Sequence, residues 1–221
     1  MKIKTYLASE CGAKLDSDVI SGGGTDDTVA IQAILDRARD SAEGVRLIVD
    51  GAALIRGLTV YSNTTIECLS ASCGFYLMDQ SNCALVSNGN QRRKGEIVDE
   101  NICLIGGTYN QNCPNQVHDI PRDDLSGFYQ NFDLPGMPPS TDLVVAMFFV
   151  GVRGLTLRDL VIRDQRTYAA ALSNWEHVRV ENVEIQLPNR VHAQNQDGFH
   201  FFGPGRFLDV RNVSGRTSDD F

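Results

Sequence analysis

The chain has 221 residues, and its 20 basic and 28 acidic side chains give it a formal net charge of −8. This excess of acid argues against bulk electrostatic binding to nucleic acid. The 42% hydrophobic content suits a folded protein with a sizeable core, and no apolar run reaches the length of a membrane-crossing helix. We therefore expect a single domain with neither a nucleic-acid partner nor a membrane span.

The N-terminal segment carries the clearest helical pattern of the chain. The opening MKIKTYLASECG lacks the apolar core of a secretory signal peptide, so we expect a cytoplasmic protein, or a secreted, phage-associated or cell-surface one if a signal has been trimmed. After residue 24, Ile31, Ile34 and Leu35 recur at helical spacing behind acidic residues suited to a helix start. The pattern predicts a helix over about residues 26–41.

Short strand-sized segments replace the helical pattern from Arg46 onward. They are separated by Gly, Asn and Ser, as strands joined by turns would be. The segments are RLIVDG (46–51), ALIRGLTV (53–60), NTTIECL (63–69), CALVS (83–87) and ICLIGG (102–107). Because no second helical pattern of convincing length follows, the sequence excludes a fold that alternates helices with strands.

A weak internal repeat then appears in the last third of the chain. GLTLRDLVIRD (154–164), HVRVENVEIQ (177–186) and FLDVRNVSG (207–215) share one template, which NICLIGGTY (101–109) also fits. In it Leu155, Val178 and Leu208 are equivalent, at spacings of 23 and 30 residues. Short strands repeating at such a period are typical of a solenoid, in which each coil lies about 4.8 Å above the last.

The repeat predicts a parallel β-helix rather than a jelly roll or β-sandwich, since those explain neither the 23-residue period nor the single leading helix. Asn at the turn of each coil can stack, with amides bonding along the axis. Residues 1–45 would form an N-terminal segment with a cap helix over the first coil, and residues 46–221 the coils. Because the chain ends where a strand should begin, we expect it to be C-terminally truncated.

A proline-rich segment interrupts the coils at residues 110–142 and reads as a long loop. Its Phe128, Tyr129 and Phe132 could either stack on sugar rings or anchor the loop.

The six cysteines form no CxxC pair, so zinc-site spacing is absent, and we expect free, mostly buried thiols rather than disulfides. No metal or cofactor site is predicted.

Two acidic clusters carry the candidate chemistry. Asp197 precedes Asp219 by 22 residues and Asp220 by 23, which is about one coil. Residues one coil apart stack on the same face, so three carboxylates should converge. Like charges that close raise the pKa of one group and leave the others ionised, as a general acid beside a general base requires. Carboxyl separations of about 5–5.5 Å favour retaining and about 6.5–9.5 Å inverting glycoside hydrolysis.

These clusters resemble the motifs of a known family. NQD (195–197) and SDD (218–220) resemble the N-T-D and G-D-D motifs of the polygalacturonases, family 28 of the glycoside hydrolases in the pectin-lyase-like superfamily. GTDDTVAIQAILDRA (24–38) is similar to that superfamily's entry sequence and cap helix, and NICLIGGTYNQN (101–112) to one of its glycine-rich coils. The resemblance covers nearly the whole chain and implies a right-handed parallel β-helix, an all-β fold.

The resemblance also implies inverting hydrolysis of a polysaccharide, often an acidic one. By position, Asp219 would be the general acid, while Asp197 and Asp220 would activate the attacking water. The chain departs from the family at Gln196, where the family has Thr, and at Ser218, where it has Gly. The family's Gly-His-Gly and Arg-x-Lys motifs belong to the next coils, and this chain ends at Phe221, before either could occur. His200 does not match that histidine, and we expect it to bind substrate in the cleft or to serve a structural role.

Two other functions remain open from the sequence. A polysaccharide lyase on the same fold would use an Arg base, for which Arg163, Arg166 or Arg216 are candidates, and Ca²⁺ in the acidic patch. A non-catalytic glycan-binding β-helix of the tail-spike kind would need none of the three acids. The last 71 residues carry 9 basic and 9 acidic side chains; without the three candidate acids they become mildly basic, which suits an anionic sugar polymer.

Overall fold

The computed structural model describes residues 2–41, 43–89, 96–116, 145–189 and 196–221. Within them lie one α-helix, two single 3₁₀ turns and thirteen strands. The helix is α1 (Thr28–Asp40), and the 3₁₀ turns are Ser9–Cys11 and Cys113–Asn115. The strands are β1 (Ile3–Leu7), β2 (Gly44–Val49), β3 (Ala52–Ile55), β4 (Leu58–Val60), β5 (Thr64–Cys68), β6 (Gly74–Leu77), β7 (Val86–Asn88), β8 (Asp99–Ile105), β9 (Thr108–Asn110), β10 (Met147–Arg158), β11 (Val161–Arg163), β12 (Ala170–Gln186) and β13 (Phe199–Gly215).

Parallel pairing sorts these strands into three stacked faces. Face A joins β1, β2, β5 and β8 to the second half of β10 and the middles of β12 and β13. Face B joins β3, β6, β9 and β11 to the ends of β12 and β13. Face C joins β4 and β7 to the starts of β10, β12 and β13. The chain visits the faces in the order A, B, C in each coil, and the fold is the right-handed parallel β-helix that we predicted.

The sequence repeat corresponds to the coil register. Leu155 pairs with Val178 and Val178 with Leu208, so the three residues assigned to one template position lie directly above one another. Leu155 and Val178 are buried in a continuous apolar core, while Leu208 on the outermost strand is 41% exposed. Alternation determines this register, because a slip by one residue would turn every apolar side chain outward.

A polar ladder marks the corner between faces A and B. Asp159, Asn182 and Asn212 follow one another in successive coils, and all three have left-handed backbone with φ of 56°, 53° and 51°. The Asn182 amide donates to Asp159 at 2.7 Å, and the Asn212 amide donates to Asn182 at 3.0 Å. Asn and Asp tolerate this backbone region better than other residues with side chains. The predicted stacking of Asn side chains along the axis is therefore confirmed.

The cap helix lies where the sequence predicted it, with Ile31, Ile34 and Leu35 buried against the core. Its start is held by Asp26, whose carboxylate accepts from the Thr28 amide at 3.0 Å. The helix covers the open core, and its Gln32 side chain also covers part of the strand edge, since it donates to Thr59 O of β4 at 3.0 Å and accepts from Thr59 N at 2.9 Å. Along face A the edge is covered by β1, whose backbone pairs with that of β2.

Three further expectations from the sequence concern the proline-rich segment, the cysteines and membrane-spanning helices. Of the proline-rich segment, only residues 110–116 are described, so Phe128, Tyr129 and Phe132 lie outside the described residues. All six cysteines are described and are free thiols, and only Cys11 is exposed. No helix in the described parts of the chain is long and apolar enough to cross a bilayer.

Candidate active site

The candidate site lies at the corner where face B leads into face C. Three stretches stack there in successive coils, namely the turn of residues 164–169, residues 196–198 and residues 216–221 after β13. The backbone of the last two is joined by two hydrogen bonds, from Ser218 N to Gln196 O at 3.0 Å and from Gly198 N to Asp220 O at 2.9 Å. Asp197 therefore lies one coil below Asp219 and Asp220, and the structure brings the three carboxylates together as their spacing indicated.

Asp197 occupies a different environment from the other two acids. It is only 6% exposed, whereas Asp219 and Asp220 are exposed. Burial, and then the charges of Asp219 and Asp220, raise the pKa of Asp197 from 3.8 to about 7. Its Oδ1 is buried and accepts no hydrogen bond from the described residues. The cluster thus holds a carboxyl that is half protonated near neutral pH beside two solvated carboxyl groups.

His200 lies close to the acids on face C. Its ring stacks on Phe202, with centroids 4.1 Å apart and planes within 4°, and meets Tyr168 edge-on at 4.6 Å. Burial lowers the pKa of His200, against a smaller opposing effect from Asp220. The imidazole is therefore held in a fixed orientation and is neutral near pH 7, so it can donate or accept a hydrogen bond at the cleft.

Buried polar side chains underlie the acids, and the sequence did not predict that they would be buried together. Gln165 and Gln196 are fully buried and Arg166 is 1% exposed. The Gln196 amide donates to the Gln165 carbonyl at 2.9 Å, and the Gln165 amide donates to the Asp197 carbonyl at 3.1 Å. The Arg166 backbone N–H donates to Gln111 Oε1 at 2.7 Å. Turns of unequal length separate these residues, so no regular spacing in the sequence reveals them.

The arginines considered as lyase bases are not equivalent. Arg166 is buried, which removes its guanidinium from direct contact with a polymer. Arg163 donates to Gln186 at 2.6 Å and lies 3.5 Å from Asp164. Arg216 is exposed, three residues before Asp219. Only Arg216 combines exposure with proximity in sequence to the acids.

Two aromatic side chains near the site, Tyr168 and Trp175, are packed into the coils. Tyr168 is 1% and Trp175 8% exposed. The Trp175 indole N–H donates to the Phe202 carbonyl at 2.9 Å, which ties face A to the corner of the next coil. Among the described residues, no group of three or more His, Cys, Asp or Glu side chains is arranged to hold a metal ion.

Three solved structures share the fold. A candidate glycosyl hydrolase from Parabacteroides merdae aligns over 99% of this chain and 100% of its own, at 18% identity and a TM-score of 0.63. A family 28 exopolygalacturonase from Yersinia enterocolitica aligns over 96% of this chain and 43% of its own, at 15% identity and a TM-score of 0.67. The Streptococcus pneumoniae surface adhesin PfbA aligns over 95% of this chain and 48% of its own, at 16% identity and a TM-score of 0.56.

These likenesses establish a polygalacturonase-like, pectin-lyase-like fold. This chain spans less than half the length of the exopolygalacturonase and of the adhesin. No protein-family model matches the sequence, and the search of curated proteins gives no match. Because one fold can carry an enzyme or an adhesin, function has to be argued from the site itself.

Proposed function

We propose that this protein is a glycoside hydrolase that cleaves a polysaccharide by carboxylate acid and base catalysis with inversion. The observation that carries the proposal is the environment of Asp197, which is buried beside two exposed acids and has its pKa raised to about 7. Asp197 therefore still carries its proton in about half of the molecules at neutral pH. General acid and base groups can then coexist at one pH.

The proposed reaction balances its protons within the cluster. One carboxyl group donates a proton to the glycosidic oxygen as the bond from that oxygen to the anomeric carbon breaks. Water attacks the same carbon from the opposite face and gives its proton to a carboxylate. The resemblance to polygalacturonases assigns the acid to Asp219 and the base to Asp197 with Asp220. His200 would bind the substrate, and no metal or cofactor takes part.

Because the charges of Asp219 and Asp220 act on Asp197, its raised pKa does not by itself name the acid. Leaving-group dependence would name it. An acid-deficient variant should lose hydrolysis of the polymer yet retain hydrolysis of a glycosyl fluoride, whose leaving group needs no proton. We expect this for Asp219→Asn, and loss of both activities for Asp197→Asn. The reverse pattern would exchange the two roles.

The test of the proposed function is release of reducing ends from polygalacturonate by the full-length protein, compared with neutral polymers. We expect an acidic polymer to be preferred, since the final third of the chain is mildly basic outside the three acids. A loss of more than about 100-fold in kcat for Asp219→Asn would match the usual contribution of an acid catalyst. Full activity in that variant would contradict the assignment of Asp219.

The same assay distinguishes the other two functions. Products with ultraviolet-absorbing unsaturated ends, lost on removal of Ca²⁺, would indicate a lyase, for which the exposed Arg216 is the available base. Glycan binding without turnover, unchanged when the three acids become Asn, would indicate a binding protein. Inversion itself is checked by NMR of the first anomer released.

A further inference from the structure

Two buried glutamines join the turn that carries Asp197 to the turn of residues 164–169, which lies in the coil below. Gln165 and Gln196 each have no exposed surface, and they lie in consecutive coils at the corner between faces B and C. Each side-chain amide donates a hydrogen bond to the backbone of the other residue's turn. Gln165 donates to the Asp197 carbonyl, and Gln196 donates to the Gln165 carbonyl.

Gln196 also reaches upward to the next coil. Its carbonyl accepts from the Ser218 amide at 3.0 Å, and its Oε1 lies 3.4 Å from the Ser218 hydroxyl. Ser218 is the residue directly before Asp219. One glutamine thus contacts the turn below, through Gln165, and the turn above, through Ser218, while its chain neighbour is Asp197.

Backbone attachment matters here because the Asp197 carboxylate has little side-chain support. Its Oδ1 accepts no hydrogen bond from the described residues. Its position therefore depends on its own peptide, whose carbonyl accepts from Gln165 at 3.1 Å and from the Ala169 amide at 3.1 Å. Hydrogen bonds made without competing water hold geometry better than exposed ones.

We propose that Gln165 and Gln196 are positioning residues, which keep Asp197 buried and at a constant distance from Asp219 and Asp220. That this positioning serves catalysis rests on the proposed function, but the positioning itself can be tested without any substrate. Without the pair, the Asp197 turn would relax toward solvent. The carboxyl group would gain water and move away from its two acidic neighbours.

The test is a titration of the Asp197 carboxyl carbon by ¹³C NMR, with Asp197→Asn used to assign the signal. Gln165→Met and Gln196→Met remove the amides and approximately conserve volume. We expect each to lower the pKa of Asp197 by at least one unit. If Gln196→Met fails to fold, Gln165→Met decides, since it leaves the contacts to Ser218 intact. An unchanged pKa in a folded variant would overturn the proposal.

Gln116→Met is the matched control. Gln116 is 2% exposed at the same corner, but it accepts from Asn82 N at 2.8 Å and donates to Met78 O at 3.1 Å, away from the acids. It should lose similar stability and leave the Asp197 titration unchanged. If Gln116→Met shifts that titration as much as the other two variants, the effect is general loosening, and specific positioning by the pair is wrong.

Kinetics separate this inference from the proposed function. On a cleaved polymer, Gln165→Met should lower kcat about tenfold or more with little change in KM, and should displace the pH profile toward acid together with Asp197. If the pH dependence of kcat does not shift together with the pKa of Asp197, the two glutamines do not act on catalysis through Asp197. If the wild-type protein cleaves no glycan, the proposed function fails, and the NMR titration still judges the positioning.

Discussion

Asp197→Asn should stabilise the protein at alkaline pH while leaving it nearly unchanged in acid. In the folded chain the pKa of Asp197 is raised from 3.8 to about 7, first by burial and then by Asp219 and Asp220. The folded state therefore binds the Asp197 proton more tightly than the unfolded state does. Stability from this group is fully present below the unfolded pKa and is lost as pH rises through the folded pKa.

The size of the expected stability difference follows from the shift in the pKa of Asp197. A difference of about 3 pKa units, at about 1.36 kcal/mol each, corresponds to a loss of up to about 4 kcal/mol of unfolding free energy between pH 4 and pH 8. Asn is similar in shape to Asp but does not ionise, so the variant avoids the loss. We expect Asp197→Asn to exceed wild type by a few kcal/mol at pH 8 and to approach it at pH 4.

Urea unfolding of both proteins at a series of pH values measures this difference, provided that the transitions are two-state. Asp18→Asn serves as a control of opposite sign. Hydrogen bonds from the Ser21 and Ile20 amides lower the pKa of Asp18, so its contribution is present at neutral pH and is lost in acid. A stability difference between Asp197→Asn and wild type that does not change with pH would refute the reasoning.

Three further perturbations test the site and the fold. Asp219→Asn should lower the pKa of Asp197 in an NMR titration, because it removes the larger of two charge repulsions; no shift would mean that the Asp219 charge does not act on Asp197. Asn182→Ala should cost about 1–3 kcal/mol in urea unfolding, since it breaks both ladder bonds and places Ala in left-handed backbone; Asn182→Gly should cost less. Leu35→Ala should cost about 2–5 kcal/mol by the same measurement, and Val29→Ala, at 82% exposure, close to nothing.

Periodicity explains why so much of the fold could be predicted from the sequence. Leu155, Val178 and Leu208 were aligned by pattern alone, and they are direct neighbours in the pairing of β10, β12 and β13. The leading helix was found within two residues of its start and one of its end. β1 was missed, because a single edge strand outside the repeat has no partner pattern from which it can be inferred.

The candidate site was predictable only in part. One-coil spacing placed Asp197 under Asp219 and Asp220, since stacked coils return the chain to the same face. It did not reveal that Asp197 alone would be buried, nor that Arg166 would be buried beside Gln111. Those outcomes depend on how turns of different length fold over one another.

The amino-acid sequence by itself determined the solenoid, the cap helix and the convergence of three acids, because alternation and a near-constant coil length translate directly into stacking. Tertiary structure alone decided which of the three acids is buried with a raised pKa, and which side chains contact its turn. Burial of Asp197 and the paired amides of Gln165 and Gln196 arise from contacts between neighbouring turns. Such contacts have no period along the chain, so only the folded arrangement contains them.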